Sequence, residues 1–304
     1  MTSLPANIDS LSKTVHQLWN LMNPCTLCPR NCKVERSKGQ IGFCGIADMP
    51  VVSSVGPHFG EESVLVGAGG SGTIFFAGCN LGCIFCQNYD ISHHCHGRQV
   101  TIEQLAQSML ELQNYGCNNI NFVTPTHVIP AIAAAIELAK KQGLNLPIVY
   151  NTGGYDSVET LKLLAGFVDI YMPDMKYSDS EVAKELSNAP DYPEVNRDAV
   201  KEMHNQVGDL QIEKGLAPPF REAGLATRGL LIRHLVLPNN LAGSFEIIDF
   251  LAEEISPKTA INVMDQYHPC FKASSHTKIN RRPTPQEIES VSRYAIEKGL
   301  NVIS

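Results

Sequence analysis

"FAGCNLGCIFCQNYDIS", residues 76–92, places Cys79, Cys83 and Cys86 at the spacing C-x3-C-x2-C, with Gly78 and Gly82 between and before them and no proline. Three thiols within eight residues need a chemical reason, because cysteine used only for packing has no cause to cluster. Disulfides are a poor reason here. The ten cysteines are spread over 304 residues, and residues 1–13 are polar, with no basic segment leading into an apolar one. A secretory signal is therefore not expected and a cytoplasmic location is. Metal chemistry is the better reading. Structural zinc takes four closed ligands. Iron–sulfur clusters are also held by thiolates, normally four, so three cysteines on a 4Fe-4S cluster would leave one iron open to an outside ligand.

The rest of the chain suits a large soluble enzyme. Its 24 Lys plus Arg against 31 Asp plus Glu give a formal charge of −7, which argues against nucleic acid as the main partner. The longest nearly apolar stretch, "VIPAIAAAIELA" at 128–139, contains Pro130 and Glu137 and is too short to span a bilayer. No membrane association is expected.

From residue 72 onward, strand-like runs alternate with helical patterns. "TIFFAG" (73–78) leads into the cysteine loop. A helix follows from Thr101, with Gln104 as its capping-box partner, to about Tyr115. "INFVT" (120–124) precedes a helix over 128–142, and "PIVYNT" (147–152) precedes one over 157–165. "VDIYMPDMK" (168–176) precedes a helical region that starts at Ser178 with Glu181 as partner, breaks near Pro190 and Pro193, and runs to about 214. "GLLIRHLVLP" (229–238) precedes a helix over 244–255, and "AINVMDQY" (260–267) a loop and a last helix from Thr284, with Pro285 first and Glu287 completing the box. Such alternation predicts a parallel sheet with right-handed crossovers. Six units are too few to close the usual eight-fold barrel, so the fold class is α/β, a partial (β/α)6 barrel over 72–304. Residues 1–71 form a separate amino-terminal extension. Chemistry in such barrels sits at the carboxyl ends of the strands, where Cys79, Thr124, Asn151, Asp174, Lys176, Pro238 and Gln266 fall.

The cysteine loop, placed after the first strand of this scaffold, resembles the radical S-adenosylmethionine (SAM) superfamily. Within it the chain is most similar to the proteins related to pyruvate formate-lyase-activating enzyme, through "CTLCPRNCKVERSKGQIGFCG" (25–45), the cysteine loop, "DIYMPDMKYSD" (169–179), "LLIRHLVLP" (230–238) and "QYHP" (266–269). The resemblance implies that Cys79, Cys83 and Cys86 bind a 4Fe-4S cluster whose open iron chelates SAM. Reductive cleavage then gives a 5′-deoxyadenosyl radical, which abstracts hydrogen from a protein or peptide substrate; a glycyl radical enzyme is the target the resemblance suggests. Modification of a small metabolite, or a non-catalytic metal-binding regulatory role, stands as the alternative. The resemblance also implies a flavodoxin- or ferredoxin-like electron donor. It places the backbone around Phe85 near the adenine, Asp174 and Lys176 on SAM, Arg233 on the SAM carboxylate and Asn151 at the ribose. Where the superfamily carries a Gly-Gly-Glu-type motif after the second strand, this chain has "VTPTH" (123–127), so Thr124 and Thr126 take that place.

Four further cysteines, Cys25, Cys28, Cys32 and Cys44, have the spacing C-x2-C-x3-C-x11-C in a stretch rich in glycine and proline. Four thiolates can close a tetrahedral zinc site or hold a second iron–sulfur cluster, and the spacing does not choose. The run "SHHCHG" (92–97) reads as solvated loop histidines, and Cys95, Cys117 and Cys270 as packing residues.

Overall fold

A computed structural model describes residues 11–213 and 224–303. In chain order its strands are β1 (Val51–His58), β2 (Ser71–Phe76), β3 (Arg98–Gln99), β4 (Ile120–Val123), β5 (Ile148–Thr152), β6 (Ile170–Pro173), β7 (Gln211–Glu213), β8 (Leu225–Leu235), β9 (Ala260–Met264) and β10 (Asn301–Ile303). They form one curved sheet in the order β10-β9-β8-β6-β5-β4-β2-β1-β3, with β7 paired to β8. The run from β2 to β10 is parallel, as the strand–helix alternation requires. The sheet is open, so the expected partial barrel is what forms.

The crossovers are helices cut to length by local signals. The helices, again in chain order, are α1 (Lys13–Asn20), α2 (Ser63–Val66), α3 (Tyr89–Ser92), α4 (Ile102–Asn114), α5 (Ile129–Lys141), α6 (Val158–Leu163), α7 (Ser180–Ser187), α8 (Tyr192–Val207), α9 (Ser244–Phe250) and α10 (Pro285–Glu297). Two of the three expected capping boxes form: the Thr101 hydroxyl accepts from the Gln104 amide and Thr284 from Glu287, each side chain answering in return. Such a cap is worth about 1 kcal/mol. In α4 the buried residues Ile102, Leu105, Ala106, Met109 and Leu112 recur at the helical period and face the sheet. Almost every residue of α5 from Ile129 to Ile136 is buried, because it lies between the sheet and outer elements that include α1.

Alternation along the strands divides the interior in two. Tyr150 and Tyr171 point to the helical side, into the main core. Val149, Ile170, Met172, Leu231 and Ala260 point to the opposite, concave side, where Val64 and Leu65 of α2 close over them. The carboxyl ends of the strands are left for the site.

Some expected boundaries shift, for local reasons. The helix after β6 is capped by Asp179, whose carboxylate accepts from the Val182 amide at 2.9 Å, so Ser178 stays outside it. The expected run to about 214 divides into α7 and α8 and ends at Val207, where Gly208 takes φ 73° and the chain turns back to pair as β7; residue 214 itself lies outside the described residues. The helix begun by α9 continues to Ile255 as a wider π-helical turn. The segment before residue 72 also joins the sheet, since β1 runs antiparallel beside β2.

Candidate functional site

At the carboxyl ends of β2, β4, β5, β6, β8 and β9 lies a cavity of about 180 Å³, and Cys79, Cys83 and Cys86 line it. The loop that carries them is held rigidly. Gly78 takes φ 80°, and a Cβ there would stand 2.4 Å from the Cys44 carbonyl oxygen, so only glycine admits this approach. The Gly82 and Ile84 amides donate to the carbonyls of Ser187 and Leu186 at the end of α7. The His93 ring donates to the Cys83 carbonyl at 3.1 Å.

The sulfurs have polar neighbours of their own. The Leu81 amide donates to Cys79 Sγ at 3.4 Å, and the buried Ser187 hydroxyl to Cys83 Sγ at 2.9 Å. Ser92 Oγ lies 3.1 Å from Cys86 Sγ. Burial pushes the Cys79 thiol well up, with Cys83 adding to the rise. Burial raises Cys83 too, while Lys176 and the Ser187 hydrogen bond pull it back. Buried thiols pressed against each other are costly as free thiolates, so the arrangement suits a positively charged centre that takes the charge.

Across the cavity stands an ionic trio. Lys176 Nζ lies 2.6 Å from Asp174 Oδ2, and Arg233 Nε lies 3.0 Å from Asp174 Oδ1. Burial would raise Asp174, but the two cations outweigh it and hold the carboxyl below its usual range. Burial would lower Lys176, and the Asp174 carboxylate outweighs that, leaving it raised. All three are therefore charged, and Arg233 Nη1 also lies 3.9 Å from Glu61 Oε2, so the two cations facing the thiols are braced by carboxylates. An anionic ligand group is what such a wall receives.

The residues expected from the sequence are mostly brought together here. Phe85, Thr124, Asn151, Asp174, Lys176, Arg233 and Gln266 line the same cavity as the cysteines. Phe85 is buried edge-on against Tyr177 and Tyr267, which fixes the loop beside Cys86. Thr124 takes φ 59°, a left-handed conformation that strains a β-branched residue by ~1–3 kcal/mol and marks the turn out of β4. Two expectations do not fit. Pro238 starts a turn outside the cavity. Thr126 is buried below it, with its hydroxyl donating to Asp156 Oδ1 at 2.8 Å.

That Asp156 carboxylate is one group the sequence did not disclose. It also accepts from the Tyr150 hydroxyl at 2.8 Å and from Thr152 Oγ1 at 2.7 Å. Thr152 and Gly153 line the cavity, so this buried network sets the floor beneath it. A glycine doublet, Gly153 and Gly154, follows β5. Gly154 takes φ 76°, and a Cβ there would fall 2.2 Å from the Asp174 carbonyl oxygen. The adjacency of "TGG" to a strand end was the available signal. Ser187, far along the chain from the cysteine loop, left none.

The four amino-terminal cysteines also meet. The Cys25 amide donates to the Val34 carbonyl and the Lys33 amide to the Cys25 carbonyl, closing a knuckle in which Asn31 and Lys33 take φ 45° and 58°. Burial pushes Cys28 up to about 12, with the charges of Cys44, Cys25 and Cys32 adding to it. Arg30, between Cys28 and Cys32, joins this knuckle to the cavity: it donates from Nε to the Asn80 carbonyl at 2.8 Å and from Nη2 to the Ser187 carbonyl at 3.4 Å. In "SHHCHG", the His93 ring packs tilted against Phe271 and His94 lies near His96. Among the described residues, no three histidine, cysteine or acidic side chains converge to hold a single metal ion. Nor is any described helix long and apolar enough to cross a membrane.

A parallel β/α scaffold with three clustered thiols and a cationic wall at its strand ends defines a class of cofactor-bearing barrels. Comparison with known proteins narrows it. The profile described as "Radical SAM superfamily" matches residues 73–214. Two proteins of Methanocaldococcus jannaschii, both described as uncharacterized, align over nearly the whole chain. MJ0674 is 34% identical over 93% of this chain and 78% of its own length, and MJ0808 is 24% identical over 92% and 79%. Two solved structures are similar at a TM-score of 0.48 and 16% identity. One is Streptococcus suis SuiB bound to precursor peptide SuiA, covering 74% of this chain and 46% of that chain; the other is a radical SAM methyltransferase from Sphaerobacter thermophilus, covering 76% and 65%. This chain thus spans less than two thirds of either solved chain. The chain belongs to the radical SAM superfamily, whose cofactors are a 4Fe-4S cluster and SAM. The residues present fit that pair: three thiols on one wall, and the Lys176 and Arg233 cations on the other, offer donors for iron and for an amino acid carboxylate.

Proposed function

We propose that this chain is a radical SAM enzyme in which Cys79, Cys83 and Cys86 hold the 4Fe-4S cluster, and that its substrate is a protein or peptide. The observation that carries the reading is the shared cavity, in which these three thiols face Asp174, Lys176 and Arg233. When bound, the cluster held by these cysteines would supply reductive cleavage of SAM to methionine and a 5′-deoxyadenosyl radical, with the electron coming from a flavodoxin- or ferredoxin-like donor.

The chain's own residues bind and orient. Lys176 and Arg233 receive the SAM carboxylate, and Asp174 keeps both cations in place. Asn151 and Thr124 line the cavity at the ends of β5 and β4 and would serve the ribose and amino group, and the backbone at Phe85 would serve the adenine. Thr126 acts from below, through Asp156 and Thr152, and makes no contact of its own. The finer reading, a glycyl residue of a partner enzyme as the hydrogen donor, is supported by the likeness of "DIYMPDMKYSD" and "LLIRHLVLP" to the activating enzymes. We take residues 72–304 as the catalytic unit and residues 1–71 as its amino-terminal extension, whose β1 joins the sheet.

The test is anaerobic reconstitution with iron and sulfide, reduction with dithionite and assay of 5′-deoxyadenosine by mass spectrometry. Release from the wild type and not from Cys83→Ala is expected. Equal release from both would reject the reading.

A further inference from the structure

A loop of the amino-terminal extension enters the concave side of the sheet and carries two carboxylates beneath the cavity. After β1 the chain bends at residues 59–62 into α2, whose Val64 and Leu65 close over Val149, Leu231 and Ala260. Asn121 is in register with Val149, and Asn262 follows Ala260 by two residues, so both amides face that same side. Glu61 and Glu62 meet them there. Asn121 Nδ2 donates to Glu61 Oε2 at 3.3 Å, and Asn262 Nδ2 to Glu62 Oε1 at 2.9 Å. Glu62 immediately precedes α2, yet its carboxylate caps no amide of that helix. The Glu61 side chain is 7% exposed, Glu62 4% and Asn121 fully buried.

Acceptors and negative charge are both left over in this cluster. Glu62 Oε2 and Asn121 Oδ1 are buried without a hydrogen-bond partner among the described residues. The Asn121 amide donates to Glu61 and to Ser71 Oγ, so it has no proton left for Glu62. Arg233 Nη1 stands 3.9 Å from Glu61 Oε2, beyond hydrogen-bond reach, and its Nε is already bonded to Asp174 at 3.0 Å. His58 Nδ1 lies 2.9 Å from Glu61 Oε1 and serves that oxygen alone. A ligand group that completes the cluster donates more than once and carries positive charge. An ammonium has three donors and a guanidinium five, whereas a hydroxyl has one, and two adjacent carboxylates repel an anion.

The cluster also lies where a substrate has to be. Val123 and Met264 line the cavity with the three thiols, as Arg233 itself does. Asn121 and Asn262 stand two residues earlier on the same strands, which at ~3.3 Å per residue puts them about 7 Å beneath the cavity wall. Resting on the catalytic reading above, we propose that Glu61, Glu62, Asn121 and Asn262 form the subsite that recognises the substrate, and that it takes an ammonium or guanidinium group, such as a lysine or arginine side chain of a peptide. A group anchored there holds the rest of the substrate against the cavity.

The test is peptide binding to the full chain, reconstituted anaerobically with iron and sulfide, saturated with SAM and left unreduced. The probes are the acetylated, amidated tripeptides alanine-lysine-alanine and alanine-norleucine-alanine, which differ in the ammonium, with dissociation constants read by ligand-observed NMR. The lysine peptide is expected to bind about ten-fold tighter or more, as one charged hydrogen bond implies, and Glu62→Gln to erase that preference. In the wild type the lysine peptide should also slow hydrogen exchange across residues 59–66, and the norleucine peptide should not. Equal binding of the two peptides would overturn the proposal. So would a folded Glu62→Gln chain that keeps the preference, or protection confined to other segments. Because exchange is read on the wild type, the location is decided even if the variant does not fold. n-Butylamine binding as tightly as the lysine peptide would support the cation site and assign it to a small amine. A lysine preference in a chain that releases no 5′-deoxyadenosine would sink the catalytic reading and leave the cation site standing; release without the preference would do the reverse.

Discussion

Replacing Ser187 with alanine removes a hydrogen bond to one sulfur and the partner of the Tyr177 hydroxyl. Ser187 Oγ lies 2.9 Å from Cys83 Sγ and 2.6 Å from the Tyr177 hydroxyl, and the residue is fully buried. With the serine hydrogen spent on sulfur, Tyr177 donates to Ser187 and polarises it. A hydrogen bond to a charged acceptor contributes ~1.5–3 kcal/mol. It is stronger when the acceptor carries more charge, as sulfur does in the reduced cluster. If about half of it differs between the two redox states, ~1 kcal/mol separates them, which at about 59 mV per ~1.4 kcal/mol for one electron is ~40 mV. The donor favours the more negative state, so its loss lowers the midpoint potential and makes reduction harder. The assay is a potentiometric titration followed by electron paramagnetic resonance, reading the signal that SAM alters. Tyr177→Phe should shift it in the same direction by less. A midpoint for Ser187→Ala unchanged within about 10 mV, or raised, would refute the argument.

Two further outcomes follow from the same geometry. Lys176→Met should weaken binding of S-adenosylhomocysteine by one to two powers of ten in calorimetry, the effect of losing a ~1.5–3 kcal/mol charged contact; an unchanged affinity would remove Lys176 from the site. Gly154→Ala forces a left-handed alanine whose Cβ meets the Asp174 carbonyl at 2.2 Å, so thermal unfolding should show a loss of at least ~1–3 kcal/mol, whereas at the equally left-handed but open Gly166 the cost should be smaller.

The scaffold was legible because its signals are local. Strands that build the site carry short apolar runs such as "IFF" (74–76), "IVY" (148–150) and "LLI" (230–232), and the capping boxes at Thr101 and Thr284 are written within four residues of chain. Cys79, Cys83 and Cys86 were equally plain, since a C-x3-C-x2-C loop brings its thiols together before any tertiary fold exists. Asp174 and Lys176 could be proposed because they fall at a strand end and because "PDMK" resembles an element of the activating enzymes. What they would touch could not be read, and Arg233, 59 residues on, pairs with Asp174 only because β6 and β8 are neighbours. Thr126 failed for a related reason. Sequence places it after β4, but whether its hydroxyl meets the cavity or a carboxylate beneath depends on Asp156, delivered by the next unit.

By itself, then, the sequence determined the alternation of elements, the thiol loop and the four-cysteine knuckle, all of which depend on residues close along the chain. Tertiary structure alone decided which side chains surround the thiols. Ser187 above Cys83 and Arg30 between the two sulfur groups are set by packing between segments far apart in sequence. Charge and hydrogen bonding at a buried sulfur depend on distance in space, to which spacing along the chain gives no guide.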